Sequence, residues 1–508
     1  MILKLFSSRP EHPLGDAKEL KRVISELALD HPLKAVDEVY GWFESLQGVG
    51  DFRLDHFFDV LRQLDEAVQQ SIRQLTRDYL HATRLSKSEE RRVWSLCYNY
   101  WGEVSSLYAR CIERARLEPK SKGSVALQSF LPLASARLLA ARATQLKWVE
   151  YRYGPVGEDL WRGLGQAYLA ADVAGVAQTP VQLYPAQSGL TSVSQQYLQV
   201  LCFYSASMDT LMPLEIELAD RIIAHFLPDF VFSAECLPGS QHWVDPASGS
   251  PPIRMARNPD RLAANIRFFS AAAAAQPLNT LIGAVERGEV PQGLNLGGDY
   301  PASALLPVLR HLALNWASEP AVREHRRHAV KTRIAVLQGF DDCFTVFSGG
   351  VARFGKERTA ESWVVENVSL GGFGARVVDF DDSLRIGALL AIQAEGGDNW
   401  VLGVVRRVNK DSEVQASVGI QALSRNALSV ELRPRTSGFS AVGAIPAIWL
   451  REESAAGDVR VVMPRDSFDV RVSLELSVEG ERRLLAPVEL EDGGSTFEIG
   501  RYRTAESS

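Results

Sequence analysis

The sequence predicts an α+β multidomain protein: an irregular α-helical N-terminal region, then a small antiparallel β-barrel, then a further β domain. The chain has 508 residues, too many for one compact core. Apolar residues recur every three or four positions through the first 180 residues and every second position after Arg333. Hydrophobic residues make up 46% and charged residues 23%, which is typical of a globular chain.

The change of period along the chain predicts four regions. We expect a helical bundle over 1–180 and a mixed, mainly helical region with a β-hairpin over 181–320. The barrel is expected over 321–433 and the last β domain over 434–508, with a linker starting at Pro434.

Two long helices are the clearest elements of the N-terminal region. Apolar residues from Leu54 to Tyr79 fall on one helical face. A second helix begins at the capping-box pattern Ser86-x-x-Glu89, whose side chains can satisfy free backbone N–H groups. There is no fixed repeat of about 34 or 40 residues, and the helical region resembles no recognised family.

In the mixed region, FVFSAE and QHWV can pair as a hairpin around Pro238 and Gly239. Helices are expected at DRLAANIRFFSAAAAA and LLPVLRHLALNWAS. Beyond Arg333, short alternating segments separated by Gly, Asp and Asn predict a small closed barrel.

Composition excludes several classes of protein. A net charge of −7 argues against a general nucleic-acid or membrane-surface binder. No run of about 18 apolar residues lacks charge, so we predict no membrane span. The five cysteines show no CxxC spacing, which suits reduced thiols in a cytosol, so we expect a cytoplasmic location. His242 and Asp245 near Cys236 are interpreted as structural, so no metal site is expected.

A basic cluster stands out against this acidic background. Between residues 321 and 340 there are five basic side chains and one acid. Guanidinium groups grip phosphate oxygens in pairs and stack on aromatic faces, so the cluster indicates a local anion site. A solvated helix end or linker is the alternative.

The stretch NVSLGGFGAR, residues 367–376, is the second unusual feature. A strand-like segment follows its glycines, whereas a phosphate-binding glycine loop must open a helix. The glycines therefore indicate a bulge or tight turn where a ligand or another backbone comes close. Asn367 and Ser369 lie two apart on a strand and suit the edge of a polar ring, or alternatively cap the turn.

Together the two features resemble the PilZ family of cyclic di-GMP receptors over residues 321–433. The R-x-x-x-R motif reads Arg323 and Arg327, and the D/N-x-S-x-x-G motif reads Asn367, Ser369 and Gly372. The segments VVRRV and SVGIQAL are similar to the family's late strands.

The resemblance implies a ligand and a set of contacts. The arginines, taken from Arg323, Arg326 and Arg327, would hold the phosphates and stack on guanine. Asn367 and Ser369 would contact guanine edges, and Gly372 would let the ligand approach the backbone.

Two departures from the family pattern affect this interpretation. Asn367 replaces the more frequent Asp, and about forty residues separate the motifs, so residues 339–362 should contain an elongated hairpin or loop. The sequence also leaves open which arginine pair is in register, because Arg327 and Arg333 are six apart.

The resulting expectation is a bacterial signalling effector that binds cyclic di-GMP and changes its interdomain arrangement. It would regulate a protein partner through the helical region, with motility, biofilm or exopolysaccharide output. No enzyme motif such as HExxH, GxSxG or a P-loop is present, so no catalytic residue and no cofactor are expected. One alternative is a ligand-free scaffold with a degenerate PilZ domain. RNA binding is disfavoured by the acidic remainder of the chain.

Overall fold

The structure is a computed structural model that describes 12–81, 85–187, 189–255, 264–291, 293–319, 325–348, 360–380, 384–412, 414–435, 443–451, 458–478, 481–494 and 496–505. The chain divides into two compact units. The first comprises Met1–Arg152, Val156–Met208 and Pro213–Ala321. The second comprises Tyr153–Pro155, Asp209–Met212 and Val322–Ser508.

Helices dominate the first unit, and one further helix lies in the second. The helices are α1 Ala17–Glu26, α2 Pro32–Leu46, α3 Leu54–Leu80, α4 Lys87–Leu117, α5 Lys122–Leu127, α6 Leu131–Glu150, α7 Glu158–Val173, α8 Val193–Ser205, α9 Pro213–Phe226, α10 Ala275–Glu286, α11 Ala302–Trp316 and α12 Phe340–Phe347.

Among the described residues, four short strands lie in the first unit and twelve in the second. The strands are β1 Val231–Ser233, β2 His242–Val244, β3 Ile253–Arg254, β4 Arg267–Ser270, β5 His328–Gln338, β6 Glu361–Ser369, β7 Gly372–Val378, β8 Leu389–Ala394, β9 Trp400–Ser412, β10 Gln415–Ser424, β11 Ala427–Pro434, β12 Ile445–Leu450, β13 Asp458–Pro464, β14 Leu474–Val478, β15 Glu481–Gly493 and β16 Phe497–Ala505. The predicted α+β multidomain class is confirmed.

The two long helices form as their sequences predict. The apolar stripe from Leu54 to Tyr79 is buried along α3. At the start of α4, Ser86 accepts a hydrogen bond from the Glu89 backbone N–H, and the Glu89 carboxylate accepts one from the Ser86 N–H. Each of these bonds satisfies a backbone donor that the first helical turn leaves free.

A buried polar cluster ties α3, α4 and α6 together. The Asp65 carboxylate is fully buried and accepts hydrogen bonds from the hydroxyls of Tyr100, Tyr108 and Tyr184. Arg137 lies 3.5 Å from the same carboxylate. Burial raises the pKa of Asp65 although Arg137 and the tyrosines favour the charged form. The cluster is satisfied from several sides, so it is a structural element of the helical core.

The small sheet of the first unit corrects two predictions. Its order is β1-β4-β2-β3, so β1 and β2 each pair with β4 and not with one another. The strand β4 lies inside the segment DRLAANIRFFSAAAAA, which we predicted as a helix. Phe268 and Phe269 are both buried there, which favours a central strand between two partners over one face of a helix.

The stretch Lys122–Glu150 is long and apolar enough to cross a membrane. More than half of its most apolar part is buried within the fold, as in the core helix of a globular unit.

The first barrel closes in the order β10-β7-β6-β5-β8-β9. The second closes in the order β11-β12-β13-β16-β15-β14. In each, all paired strands are antiparallel. Part of the predicted linker, residues 436–442, lies outside the described residues.

Helix α12 packs into a core shared by the two barrels. Its buried residues Phe340, Cys343 and Phe347 belong to one cluster with Leu402 of the first barrel and Ile448 of the second. We expected a hairpin or loop over 339–362, and its beginning is instead this helix. The apolar spacing of three and four from Phe340 explains the difference, because it gives a short helix one buried face. Residues 349–359 lie outside the described residues.

Candidate ligand site on the first barrel

The N-x-S-x-x-G motif forms a tight hairpin between β6 and β7. Ser369, the last residue of β6, pairs with Gly372, the first residue of β7. Only Leu370 and Gly371 lie between them, and the Leu370 side chain is 73% exposed. The Ser369 hydroxyl donates a long hydrogen bond of 3.4 Å to the Gly372 carbonyl oxygen. The turn contact that we considered as an alternative therefore exists.

A β-bulge in β6 turns the motif outward. Trp363 and Val365 are buried inside the barrel, and strict alternation would also point Asn367 inward. The register shifts between Val365 and Asn367, which leaves Glu366 as an extra residue. As a result Asn367 pairs with Gly374, on the face opposite the buried Ala375. The bulge thereby re-aims both Asn367 and Ser369 to the outer surface.

The glycines of the motif each allow a close approach. A Cβ at Gly374 would lie 2.5 Å from Nδ2 of Asn367, and one at Gly372 would lie 2.0 Å from the carbonyl oxygen of Ile420. A Cβ at Gly371 would lie 3.2 Å from Cδ2 of His325. None of the three has a positive φ. They are needed for space, and at Gly372 the space is taken by another backbone.

The arginine segment arrives at the same end of the barrel. His328, the first residue of β5, pairs with Val368, so Arg327 precedes the strand beside the end that carries Ser369. The Gly371 contact places His325 at the hairpin turn. Arg326 and Arg327 are exposed and form no ion pair with another described residue. Arg323 lies outside the described residues.

Arg333 belongs to a different part of the barrel. It lies six residues beyond Arg327 along β5, about 20 Å away for an extended strand. Its guanidinium donates to the hydroxyl of Ser362 at 3.3 Å. This position separates Arg333 from the motif hairpin.

A row of paired residues crosses the outer face next to the motif. Asn367 on β6 pairs with Gly374 on β7, which pairs with Gly419 on β10, which pairs with Arg407 on β9. A Cβ at Gly419 would lie 3.1 Å from the Cβ of Arg407. We call these four residues the glycine row. The two glycines in its middle carry no side chain, and the space above them is approached by the Asn367 amide from one side and by the Arg407 side chain from the other.

This arrangement suits an anionic ligand with a polar ring. The two central residues of the glycine row carry no side chain of their own, and the groups that reach over them are the Asn367 amide and the Arg407 side chain. Asn367 offers both donors and an acceptor to a ring edge, and it makes no side-chain hydrogen bond to another described residue. Two exposed arginines beside the hairpin can form paired hydrogen bonds with phosphate oxygens. Sequence reasoning missed Gly419 and Arg407, because the strand register that aligns them with Gly374 is not visible in the sequence.

The other sequence candidate, around His242, lies in the small sheet of the first unit. His242 is buried against Phe269, with ring centroids 5.0 Å apart. Burial, with a smaller contribution from Arg254, lowers its pKa to about 4. Asp245 accepts a hydrogen bond from the Ala247 N–H in a turn. Among the described residues, no group of three or more His, Cys, Asp or Glu is arranged to hold a metal.

Part of the chain, mainly its helical region, is similar to a known protein family. Residues 18–235 match the family described as the N-terminal domain of the cyclic-di-GMP receptor FimW. The match runs from α1 to just beyond β1 and covers less than half of the chain. No curated protein matches the chain.

The match also corrects one prediction. The helical region does resemble a known family, contrary to our expectation. Helical periodicity alone did not reveal this, because amphipathic spacing is common to unrelated bundles. The matched residues end before 321–433, so they do not include the stretch that resembles PilZ.

Proposed function

We propose that the protein is a non-enzymatic cyclic di-GMP effector and that the outer face of the first barrel binds the ligand. In this proposal Arg326 and Arg327, with Arg323, hold the phosphates, while Asn367 and Ser369 read a guanine edge. Gly372 lets the hairpin approach β10 closely and so shapes the site. The ligand carries two phosphates and two purine rings, which the arginines and the polar side chains beside the glycine row complement.

One observation carries the proposal. The pairing of His328 with Val368 brings the arginine segment to the end of β6 that bears the motif. The two motifs are about forty residues apart in sequence, but the antiparallel pairing of β5 with β6 brings them close together in space. The similarity of residues 18–235 to the N-terminal domain of a cyclic-di-GMP receptor supports the same ligand independently.

The mechanism that we propose is ordering on binding. Without ligand the exposed arginines of the segment before β5 repel one another. A doubly anionic ligand neutralises them and draws the segment onto the barrel. The segment directly follows the first unit in the chain. Its ordering would therefore change the interdomain arrangement. A bacterial cytoplasmic protein of this kind would pass the change to a protein partner, with motility, biofilm or exopolysaccharide output.

Isothermal titration calorimetry with cyclic di-GMP tests the proposal on the full chain. We expect saturable heat from the wild type and binding at least tenfold weaker in Arg327→Ala, because each charge-assisted contact to phosphate is strong. Arg333→Ala is the matched control, since it removes the same charge about 20 Å away along β5. GTP should give no comparable heat.

Two results would count against the proposal. If the wild type gives no binding heat, the ligand-free scaffold would be favoured. Equal losses in Arg327→Ala and Arg333→Ala would mean that general positive charge, rather than the motif end of the barrel, holds the ligand.

A further inference from the structure

The far end of the glycine row holds a guanidinium that the PilZ-like motifs do not include. Arg407 on β9 shares its face with Asn367, with Gly374 and Gly419 between them. Three strand spacings separate the two residues, about 14 Å for neighbouring strands. A ligand lying on the two glycines therefore spans the distance from the amide to the guanidinium.

Arg407 is already paired within the second unit. Its Nε donates to Oδ2 of Asp209 at 2.5 Å. Asp209 belongs to the segment Asp209–Met212, which is part of this unit, whereas the chain on either side of the segment belongs to the first. The Arg407 side chain is 52% exposed and that of Asp209 only 14%.

The Asp209 carboxylate is incompletely satisfied. Its other oxygen, Oδ1, is buried and has no hydrogen-bond partner among the described residues. Arg407 therefore neutralises the charge of this carboxylate. Arg407 also stands at the end of the glycine row.

We propose that Arg407 is an additional phosphate-binding residue of the site and that bound ligand displaces Asp209 from it. This inference rests on the function proposed above. The Arg407 guanidinium is 52% exposed, so a phosphate can reach it and offer two oxygens where Asp209 offers one. Once unpaired, Asp209 cannot stay buried, because an uncompensated carboxylate is costly away from water. The segment Asp209–Met212 therefore has to open when the ligand binds.

Calorimetric titration of four full-length proteins with cyclic di-GMP tests the inference. Arg407→Ala should weaken binding about tenfold or more, as expected for the loss of a charge-assisted contact. Asp209→Asn should tighten binding about two- to fivefold, because the competing carboxylate is gone. In the double variant Arg407→Ala/Asp209→Asn, the second substitution should have no effect on affinity. The double variant also removes both charges together, so it leaves no unpaired buried carboxylate.

Arg471→Ala and Asp469→Asn are the matched controls, since they remove the same charges from an exposed ion pair of the second barrel. Hydrogen exchange supplies an independent readout: ligand should increase exchange in peptides spanning 207–213 of the wild type.

The outcomes separate this inference from the proposed function. If the wild type gives no heat, both fail. If the wild type binds and Arg327→Ala does not, while Arg407→Ala binds as the wild type does, only this inference is overturned. An Asp209→Asn affinity at or below that of the wild type, or unchanged exchange over 207–213, overturns the displacement of Asp209.

Discussion

Substituting Gly374 by alanine should weaken ligand binding without disrupting the fold. The added Cβ would lie 2.5 Å from Nδ2 and 2.7 Å from Oδ1 of Asn367, the end of a flexible side chain. Gly374 has no positive φ, so alanine fits the backbone conformation. The Asn367 amide has to swing away, which costs about 1 kcal/mol in side-chain conformation.

Gly372→Ala is the matched comparison, since it adds the same methyl group two residues away. Here the Cβ would lie 2.0 Å from the carbonyl oxygen of Ile420 and 3.1 Å from Cα of Gln421, both in the backbone of β10. A backbone cannot rotate aside as an amide does. The pairing of β7 with β10 must separate, and we expect a loss of about 3 kcal/mol or more.

Two assays distinguish the pair. Urea unfolding followed by circular dichroism should leave Gly374→Ala within about 1 kcal/mol of the wild type and shift Gly372→Ala strongly. Calorimetry should show cyclic di-GMP binding about tenfold weaker in Gly374→Ala, equivalent to about 1.4 kcal/mol for the displaced amide. Wild-type affinity in Gly374→Ala would refute the role of Asn367. Equal destabilisation of the two variants would refute the packing argument.

Two further predictions concern the first unit. Because burial lowers the pKa of His242 to about 4 from the usual 6.5, the unfolded chain binds a proton that the folded chain does not between these pH values. The contribution of the neutral ring to the free energy of unfolding is complete above pH 6.5 and falls by about 3 kcal/mol as the pH drops to 4. Urea unfolding of the wild type and of His242→Gln should show this loss in the wild type alone. Asp65→Ala should destabilise the helical unit by about 3–5 kcal/mol, because it leaves Arg137 and three tyrosine hydroxyls with a lost partner in the core. An Asp65→Ala midpoint in urea equal to that of the wild type would contradict this.

Long elements with local signals were predictable from sequence. The buried stripe of α3 and the capping box of α4 depend on spacings of three and four residues within one helix. The same is true of the alternating strands that make up the barrels. In each case the residues that decide the structure are close in the sequence.

The pairing of strands that are distant in the sequence was not predictable in the same way. Phe268 and Phe269 read as helical until two flanking strands bury them in β4. A hairpin of β1 with β2 was the nearest pairing in sequence, but β4 takes both partners. Such outcomes depend on competition between strands that are distant along the chain.

The candidate site shows both cases. Its motif residues Asn367 and Ser369 were visible as a pattern, but the bulge at Glu366 that turns them outward was not. Gly419 and Arg407 join the row only through the register of β7, β10 and β9. Register is set by the whole barrel, so one strand's sequence does not contain it.

The central claim is that cyclic di-GMP binds the motif end of the first barrel, and hydrogen exchange of the full chain with and without ligand tests it most directly. We expect ligand to slow exchange in peptides covering 325–330, 366–376 and 415–421. Slowed exchange confined to 18–235, with the barrel peptides unchanged, would contradict the claim and move the ligand to the helical region.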